Sequence, residues 1–153
     1  MIIREFSPDD VDAYCKIRLE ALETDPDAFG RTAEEFKSRS HEFYVQRVQN
    51  NYASADIVTL GAFVDNQPVG MMGIIRKSNP KLRHIVEVFG VYVSPESRGQ
   101  HIGSKLLDAL IEQAKQMDGV EQLYLGVVRN NQAAITLYKS REFTQYGLSL
   151  IHI

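Results

Sequence analysis

The fold of this chain is decided by one stretch, Val91-Tyr92-Val93-Ser94-Pro95-Glu96-Ser97-Arg98-Gly99-Gln100-His101-Ile102-Gly103-Ser104. Its first three residues are typical of the end of a β-strand, Pro95 and Gly99 mark a turn, and the last residues open a helix. The first N–H groups of a helix have no intrahelical partners and lie at the positive end of the helix dipole. Nearby glycines let a ligand approach the main chain. The stretch therefore predicts a pyrophosphate-binding turn over residues 98–104.

Besides a ligand site, this turn has two other interpretations, a simple chain reversal and a dinucleotide-binding fingerprint. Glycines before a helix can simply reverse the chain, so the turn alone does not establish a ligand site. A dinucleotide-binding fingerprint needs G-x-G-x-x-G after an early strand of a repeated βαβ unit. Here the turn follows a run of antiparallel strands in mid-chain, and the fuller glycine pattern is missing, which excludes that fingerprint.

Length and composition predict one globular enzyme-sized domain over residues 1–153. The chain has 153 residues, of which 44% are hydrophobic and 24% charged. Such a chain can bury a stable core without disulfides or a structural metal. Its formal charge of -3 argues against nonspecific nucleic-acid binding, which needs a clustered basic surface.

Cysteine and histidine usage gives no support for a disulfide or a metal site. Cys15 is the only cysteine, and the four histidines are scattered singly without a second ligand at helical or hairpin spacing. Residues 1–6 lack a secretory pattern, and no apolar run has the length of a membrane span. We therefore expect a cytoplasmic protein that acts on neither nucleic acid nor membrane.

The hydrophobic pattern predicts alternating strands and helices in an α/β (α+β) domain. A short strand at the start is followed by a helix over 11–22 and a polar helix from the capping box at 32–35 to about residue 49. A hairpin, a third strand, an amphipathic helix, a further strand and a last helix follow. Their predicted ranges are 57–64, 69–77, 85–93, 102 to about 118, 122–128 and, with Asn130 or Asn131 as the cap, a last helix through 140.

This order of elements, from Ile2 to about Gly147, resembles the GCN5-related N-acetyltransferase (GNAT) superfamily. The family's cofactor motif, Gln/Arg-x-x-Gly-x-Gly/Ala, is matched by Arg98 and Gly103, with His101 in place of its middle glycine. We expect the His101 ring to point to solvent or along the phosphates. The resemblance implies a mixed, mostly antiparallel sheet of about six to seven strands, flanked by about four helices and splayed between strands four and five.

A second resemblance to the family lies at Asn131-x-x-Ala134-x-x-Leu137-Tyr138, where the family's following Gly-Phe is Glu142-Phe143. Seven residues turn a helix through about 700°, so Asn131 and Tyr138 project from one face. By resemblance, Asn131 binds the pantetheine arm of the cofactor, and Tyr138 protonates the departing thiolate. The alternative is that Tyr138 is a packed core tyrosine with a hydrogen-bonded hydroxyl.

Glu87 is a carboxylate inside the apolar run 85–89, where an unpaired charge is costly unless it faces a cleft or a partner. Burial would raise its pKa towards the range of a general base. It resembles in position the strand glutamate that acts as general base in the histone-acetylating branch of the superfamily. A salt-bridged strand residue, paired with Arg83 or Arg76, is the other interpretation.

The resemblance implies an N-acetyltransferase that uses acetyl-CoA as cosubstrate. The acceptor would be a primary amine of a small molecule or peptide, which attacks the thioester directly in a ternary complex without an acetyl-enzyme. Glu87 and Tyr138 would be the catalytic pair, and a main-chain N–H within Val91 to Val93 would stabilise the oxyanion. A noncatalytic acyl-CoA-binding regulatory module is the alternative from another class.

Residues 25–49 are expected to shape the acceptor site, because the first helices commonly line it in this superfamily. Phe29, Glu34, Glu35 and Tyr44 are the expected contacts, and the two acidic residues favour a cationic amine. Residues 148–153 do not resemble the strand that family members usually add after this point. A missing strand would leave an unpaired sheet edge, so the chain is expected to be a monomer or homodimer.

Overall fold

Alternating apolar residues in the middle of the chain form a sheet, and amphipathic segments before and after it cover its two faces. The structure is a computed structural model that describes residues 1–147. The predicted order of elements is confirmed. The elements are β1 (Ile2–Glu5), α1 (Val11–Thr24), α2 (Ala33–Lys37), α3 (His41–Ala53), β2 (Ile57–Val64), β3 (Gln67–Arg76), β4 (Ile85–Val93), α4 (Ile102–Gln116), β5 (Gln122–Tyr124) and α5 (Gln132–Ser140).

The sheet has the strand order β1-β2-β3-β4-β5. The first three pairings are antiparallel, and β4 pairs with β5 in parallel. Asp65 and Asn66 both have positive φ, which is the backbone of a tight two-residue hairpin turn between β2 and β3. The predicted hairpin and the third antiparallel strand are thus confirmed.

Two hydrophobic layers hold the sheet between helices. On one face, α4 packs Leu106, Leu107 and Leu110, which are fully buried, against β2, β3 and β4. On the other face, α1 and α3 bury Ile17 and Val48 together with aromatic residues of the sheet. Because α4 supplies an apolar stripe of regular spacing, its predicted amphipathic helix is reproduced in full.

A bulge at Gly90 changes the course of β4. The register moves between Met71 opposite Tyr92 and Gly73 opposite Phe89, so Gly90 and Val91 together face Met72. Gly90 has a φ of 63°, and a Cβ atom there would lie 3.1 Å from Cε of Met71. The extra residue reverses the alternation of side chains along the second half of β4.

The parallel ladder between β4 and β5 is short. It joins Ile85 to Gln122, Val86 to Leu123 and Glu87 to Tyr124, and then stops. Within residues 1–147, β4 continues to Val93 without a strand beside it on that edge. Its last main-chain groups on this side therefore have no partner in β5.

Several predicted details are wrong. Within residues 1–147 there are five strands and five helices, where about six to seven strands and about four helices were expected. The strand predicted over 122–128 ends at Tyr124, because residues 125–128 have no neighbouring strand to pair with. The polar helix over 32–49 is two helices, since Ser40 accepts a hydrogen bond from the N–H of Phe43 and starts a second one. The expected absence of a last strand concerns residues 148–153, which lie outside the described part.

No helix in the described part of the chain is long and apolar enough to cross a lipid bilayer.

Candidate active site

The start of α4 lies directly after the end of β4 and lacks a side-chain cap. His101 is its N-cap residue and makes no capping hydrogen bond, whereas Thr32, Ser40 and Asn131 cap α2, α3 and α5 with side-chain oxygens. The N–H of Lys105 bonds back to the carbonyl of His101 at 3.1 Å. The N–H groups of the three preceding residues have no such partner within the helix, which leaves them available to an anion.

Left-handed backbone conformations shape the turn before α4. Gly99 has a φ of 77° and His101 a φ of 61°. His101 stands where the family resemblance expects glycine, and it adopts a conformation that costs a non-glycine residue about 1 to 2 kcal/mol. Its side chain is exposed, so the ring leaves the main chain of the turn accessible.

Arg98 fastens the turn to the rest of the protein. Its Nε donates a hydrogen bond to the carbonyl of Val93 at 2.9 Å, and Nη2 donates to Asp25 at 2.8 Å. The guanidinium also lies 5.7 Å from the centre of the Tyr92 ring. The Arg98 side chain therefore supports the turn, and its charge is already shared with a carboxylate.

Glu20 of α1 forms a second connection to the end of β4. Its Oε1 accepts hydrogen bonds from the hydroxyls of Tyr92 at 2.8 Å and Ser94 at 2.6 Å. Tyr92 and Ser94 are each only 2% exposed. Burial, and then the neighbouring Glu20 carboxylate, raise the pKa of Tyr92 to about 12. The Tyr92 side chain is thus turned towards α1, and its main chain lies opposite Met71 of β3.

Val91 and Val93 present main-chain groups to the open edge of β4. The N–H of Ser94 bonds to Val69 of β3 at 2.9 Å, and main-chain direction alternates along an antiparallel ladder. Val91 and Val93 therefore direct their N–H and C=O groups away from β3, towards the edge of β4 that β5 pairs with only as far as Glu87. The Val93 carbonyl is taken by Arg98, so its N–H and the Val91 groups remain.

The first turn of α4 meets α5 and the end of β4 at Gly103. A Cβ atom on Gly103 would lie 3.5 Å from Leu137 and 4.0 Å from Val93. Tyr138, the next residue of α5, is 5% exposed, and burial alone raises its pKa to about 12. Its ring is 5.9 Å from that of Phe143. Tyr138 thus packs in the core layer beneath α4, next to the turn.

Asn131 and Glu142 bound α5. The Asn131 side-chain oxygen accepts a hydrogen bond from the N–H of Ala134 at 3.2 Å, so Asn131 caps α5, and the residue is exposed. Glu142 occupies the position of the family's glycine and has a φ of 67°. The N–H of the next residue, Phe143, bonds to the carbonyl of Tyr138 at 3.2 Å. The helix end therefore keeps a glycine-like backbone without a glycine.

Glu87 lies at the last β4–β5 pair, where the two strands separate. Its carboxylate is 2.5 Å from Nζ of Lys77, and its side chain is 46% exposed. Glu87 is therefore an ion-paired strand residue, with Lys77 as its partner in place of Arg76 and Arg83, which both face Asp56. Val86 and Val88 belong to the α4 layer, so Glu87 projects to the face covered by α1 and α3.

The residues expected to contact the acceptor do not form one surface. Tyr44 is buried, and its hydroxyl donates to the Phe36 carbonyl at 2.5 Å. Glu35 accepts a hydrogen bond from the N–H of Thr32 at 3.0 Å and belongs to the cap of α2, and Glu34 is exposed. Phe29 lies against Arg18 of α1, with 4.9 Å between the guanidinium carbon and the ring centre. Phe29 and Tyr44 both belong to the hydrophobic layer that contains Tyr92 of β4.

No group of three or more His, Cys, Asp and Glu side chains within residues 1–147 is arranged to hold a metal ion. The polar groups of the turn, the β4 edge and α5 include main-chain amides, the Tyr138 phenol and the Asn131 carboxamide. Such groups bind an extended anionic ligand through hydrogen bonds.

Comparison with known proteins agrees with this geometry. The sequence model of the acetyltransferase (GNAT) family matches residues 17–143, which include α4, the turn before it and α5. The chain belongs to the GNAT acetyltransferase family. The resemblance inferred from Arg98, Gly103, Asn131 and Tyr138 is therefore confirmed at the level of the family.

Individual GNAT relatives differ in how much of the chain they share. An uncharacterized N-acetyltransferase of Methanocaldococcus jannaschii is 33% identical over 85 residues, which are 54% of this chain and 37% of that protein. The chain thus spans little more than a third of that relative. The ribosomal-protein-alanine N-acetyltransferase of Brucella melitensis is 29% identical with a TM-score of 0.81, over 96% of this chain and 86% of that one.

A third GNAT relative was solved with its cofactor. The structure of yncA from Salmonella typhimurium contains acetyl-CoA, and it is 24% identical to this chain with a TM-score of 0.78. The two structures match over 94% of this chain and 79% of that one. The likeness shows the common α+β GNAT fold.

The connection through Glu20 can be tested by mutation. Glu20→Ala leaves the buried hydroxyls of Tyr92 and Ser94 without their acceptor, which should lower the free energy of unfolding by roughly 2 kcal/mol. Glu23→Ala is the control, because it removes an exposed carboxylate of the same helix that pairs with Lys37. Urea unfolding followed by circular dichroism measures both variants. Equal midpoints for the two would show that the Glu20 network does not stabilise β4.

Proposed function

We propose that this chain binds acetyl-CoA and transfers its acetyl group to a primary amine of a small molecule or peptide. The observation that carries the proposal is the uncapped start of α4, which follows immediately on the unpaired edge of β4. Membership of the GNAT family and the likeness to yncA with its acetyl-CoA support the choice of ligand.

The turn over residues 98–104 is proposed to hold the CoA diphosphate. The N–H groups of Ile102, Gly103 and Ser104 point out of the helix start, and the helix dipole adds a partial positive charge. Gly99, Gln100 and the exposed His101 complete the loop around the phosphates. Since Arg98 is bound to Asp25 and Val93, its proposed part is to keep this loop in shape.

The pantetheine arm is proposed to lie in the gap where β4 and β5 separate. Its amides would pair with the main-chain groups of Val91 and Val93 much as an added strand does. The NH2 group of Asn131, at the start of α5, is proposed to donate a hydrogen bond to the same arm. This arrangement would carry the thioester down to the bulge at Gly90, next to the last β4–β5 pair.

The proposed reaction is direct attack by a neutral amine on the thioester carbonyl. A C–N bond forms and the C–S bond breaks, while Glu87, through a water molecule, accepts the proton that the amine loses. The Val91 N–H donates to the oxyanion as it develops. No acetyl-enzyme is needed, and burial raises the pKa of the Cys15 thiol to about 11, which disfavours its thiolate form.

Tyr138 is proposed to act on the departing thiolate. With a pKa of about 12, its phenol remains protonated over the physiological range, which is the form that a donor must have. A free thiol has a pKa of roughly 8.5, so the thiolate is a weaker base than the Tyr138 phenolate. The hydrogen bond from the Tyr138 phenol therefore supplies most of the stabilisation of the departing thiolate. Complete proton transfer from Tyr138 contributes the smaller part.

The cofactor site is tested by Gly103→Glu. A side chain fits there, and a carboxylate in the first turn favours the α4 dipole, so the variant should fold normally. Its charge would oppose the diphosphate and weaken acetyl-CoA binding roughly ten- to hundredfold in calorimetry. Gln113→Glu adds the same charge to an exposed position near the other end of α4 and should bind as the unchanged protein does. Equal affinity of all three proteins would remove the turn from the binding site.

Tyr138→Phe should lower kcat roughly 100-fold, because the thiolate loses its hydrogen-bond donor. Affinity for acetyl-CoA should change little, since only the hydroxyl is removed from a buried ring. Release of CoA in the presence of a mixed panel of amines measures the rate, and calorimetry measures the affinity. An unchanged kcat would end the proposed role of Tyr138. Tight binding of acetyl-CoA by the unmodified chain with no release for any amine would instead favour a noncatalytic acyl-CoA-binding module.

Glu87→Gln distinguishes a general base from a strand residue paired to Lys77. A base is expected to account for roughly 100-fold in kcat/KM. Lys77→Met is the matched control, because it breaks the same ion pair and leaves the carboxylate. If both variants retain the full rate, Glu87 is only a strand residue.

A further inference from the structure

The guanidinium of Arg18 has no carboxylate partner in the described part of the chain. Its Nη1 is buried and makes no hydrogen bond within residues 1–147, and one side of the group rests on the Phe29 ring at 4.9 Å. By contrast, Arg4 is paired with Asp10 and Arg83 with Asp56. A half-buried charge without a partner is costly, so its retention calls for a reason.

Arg18 is next to the bulge of β4. A Cβ atom on Gly90 would lie 3.6 Å from Nη1 of Arg18, so the guanidinium reaches the main chain at the bulged residue. The following residue, Val91, carries the N–H that the proposed reaction assigns to the oxyanion. Arg18 is therefore within a few ångströms of the place where the acetyl group would react, on the face covered by α1 and α3.

The charged side chains that act on the Arg18 guanidinium within residues 1–147 are other arginines. Burial lowers the pKa of Arg18, and the nearby Arg47 and Arg31 lower it further. The other groups that act on it are the phenols of Tyr14 and Tyr44. Arg47 is exposed and lies 5.0 Å from the Phe43 ring. A polycationic acceptor would be repelled here, which opposes the expectation based on Glu34 and Glu35.

We propose that the acceptor is a small amine that also carries a carboxylate, and that Arg18 binds this carboxylate beside the β4 bulge. The inference rests on the proposed acetyl transfer. Guanidinium and carboxylate match as planar, bidentate partners, and Phe29 holds the guanidinium by one face. Because Arg18 and Val91 are so close, the amine and the carboxylate of the acceptor are separated by few bonds, as in an amino acid.

The test compares matched acceptors in a CoA-release assay. Each amino acid of a panel is measured beside its C-terminal amide and the corresponding amine without the carboxyl group. The unchanged protein is compared with Arg18→Met, which keeps the length and apolar contacts of the side chain, and with Arg18→Lys, which keeps the charge without the fork. Lys16→Met is the control, because it removes an exposed positive charge from the same helix, where Lys16 bonds to Gln67 of β3.

The unchanged protein and Lys16→Met should prefer the free acids to their amides at least tenfold in kcat/KM. Arg18→Met should lose roughly 10- to 100-fold on the acids, chiefly through KM, and change less than threefold on the amides. The kcat/KM of Arg18→Lys on the free acids should lie between the values of the unchanged protein and Arg18→Met. Equal losses on acids and amides, or no preference for acids in the unchanged protein, would overturn the inference while leaving the proposed acetyl transfer intact.

A binding measurement covers the case in which no acceptor turns over. With CoA present, N-acetyl amino acids should bind to the unchanged protein and at least tenfold more weakly to Arg18→Met, as measured by calorimetry. The ligand-free Arg18→Met protein should unfold at the same or a higher temperature, because an unpaired charge has been removed. Binding of acetyl-CoA without any Arg18-dependent binding of these acids would overturn the inference. Absence of acetyl-CoA binding would instead overturn the proposed function.

Discussion

The bulge at Gly90 is the constraint on which the site depends. One inserted residue lets β4 present Val86 and Val88 to α4 before it, and Val91 and Val93 to the same layer after it. The Tyr92 side chain is thereby turned to α1, where its hydroxyl donates a hydrogen bond to Glu20. The bulge also falls just beyond the last β4–β5 pair, so the freed main chain and the change of direction coincide. An unbulged β4 would place these groups on the wrong faces.

Much of this arrangement could be predicted from local sequence. The strand end at 91–93, the turn at 98–104 and the apolar stripe of α4 are encoded within about 25 residues, and each element forms where its own residues favour it. The capping box at Thr32 and the cap at Asn131 are likewise local. The family resemblance added the roles of Asn131 and Tyr138, which spacing alone could not supply.

The groups that connect distant segments could not be predicted in the same way. Glu20 and Asp25 have the sequence appearance of ordinary polar residues of a helix and its end, yet they hold Tyr92, Ser94 and Arg98 from more than 70 positions away. The length of β5 was overestimated because residues 125–128 have strand-like composition, whereas a strand also needs a partner. Two interpretations of Glu87 stay open at the level of sequence because its apolar neighbours fit either a buried base or an ion-paired strand residue, and its partner Lys77 comes from another part of the sequence.

The two ties between α1 and the end of β4 have a consequence for how the substrates communicate. Glu20 belongs to the helix that carries Arg18, Asp25 directly follows the last residue of that helix, and both reach the segment that leads into the turn over residues 98–104. In the proposed complex, the acceptor and acetyl-CoA would both contact groups that α1 positions. A displacement of α1 by one substrate would therefore change the binding site of the other. The order in which the substrates bind, and the effect of each on the affinity for the other, would then depend on α1 as much as on either binding site.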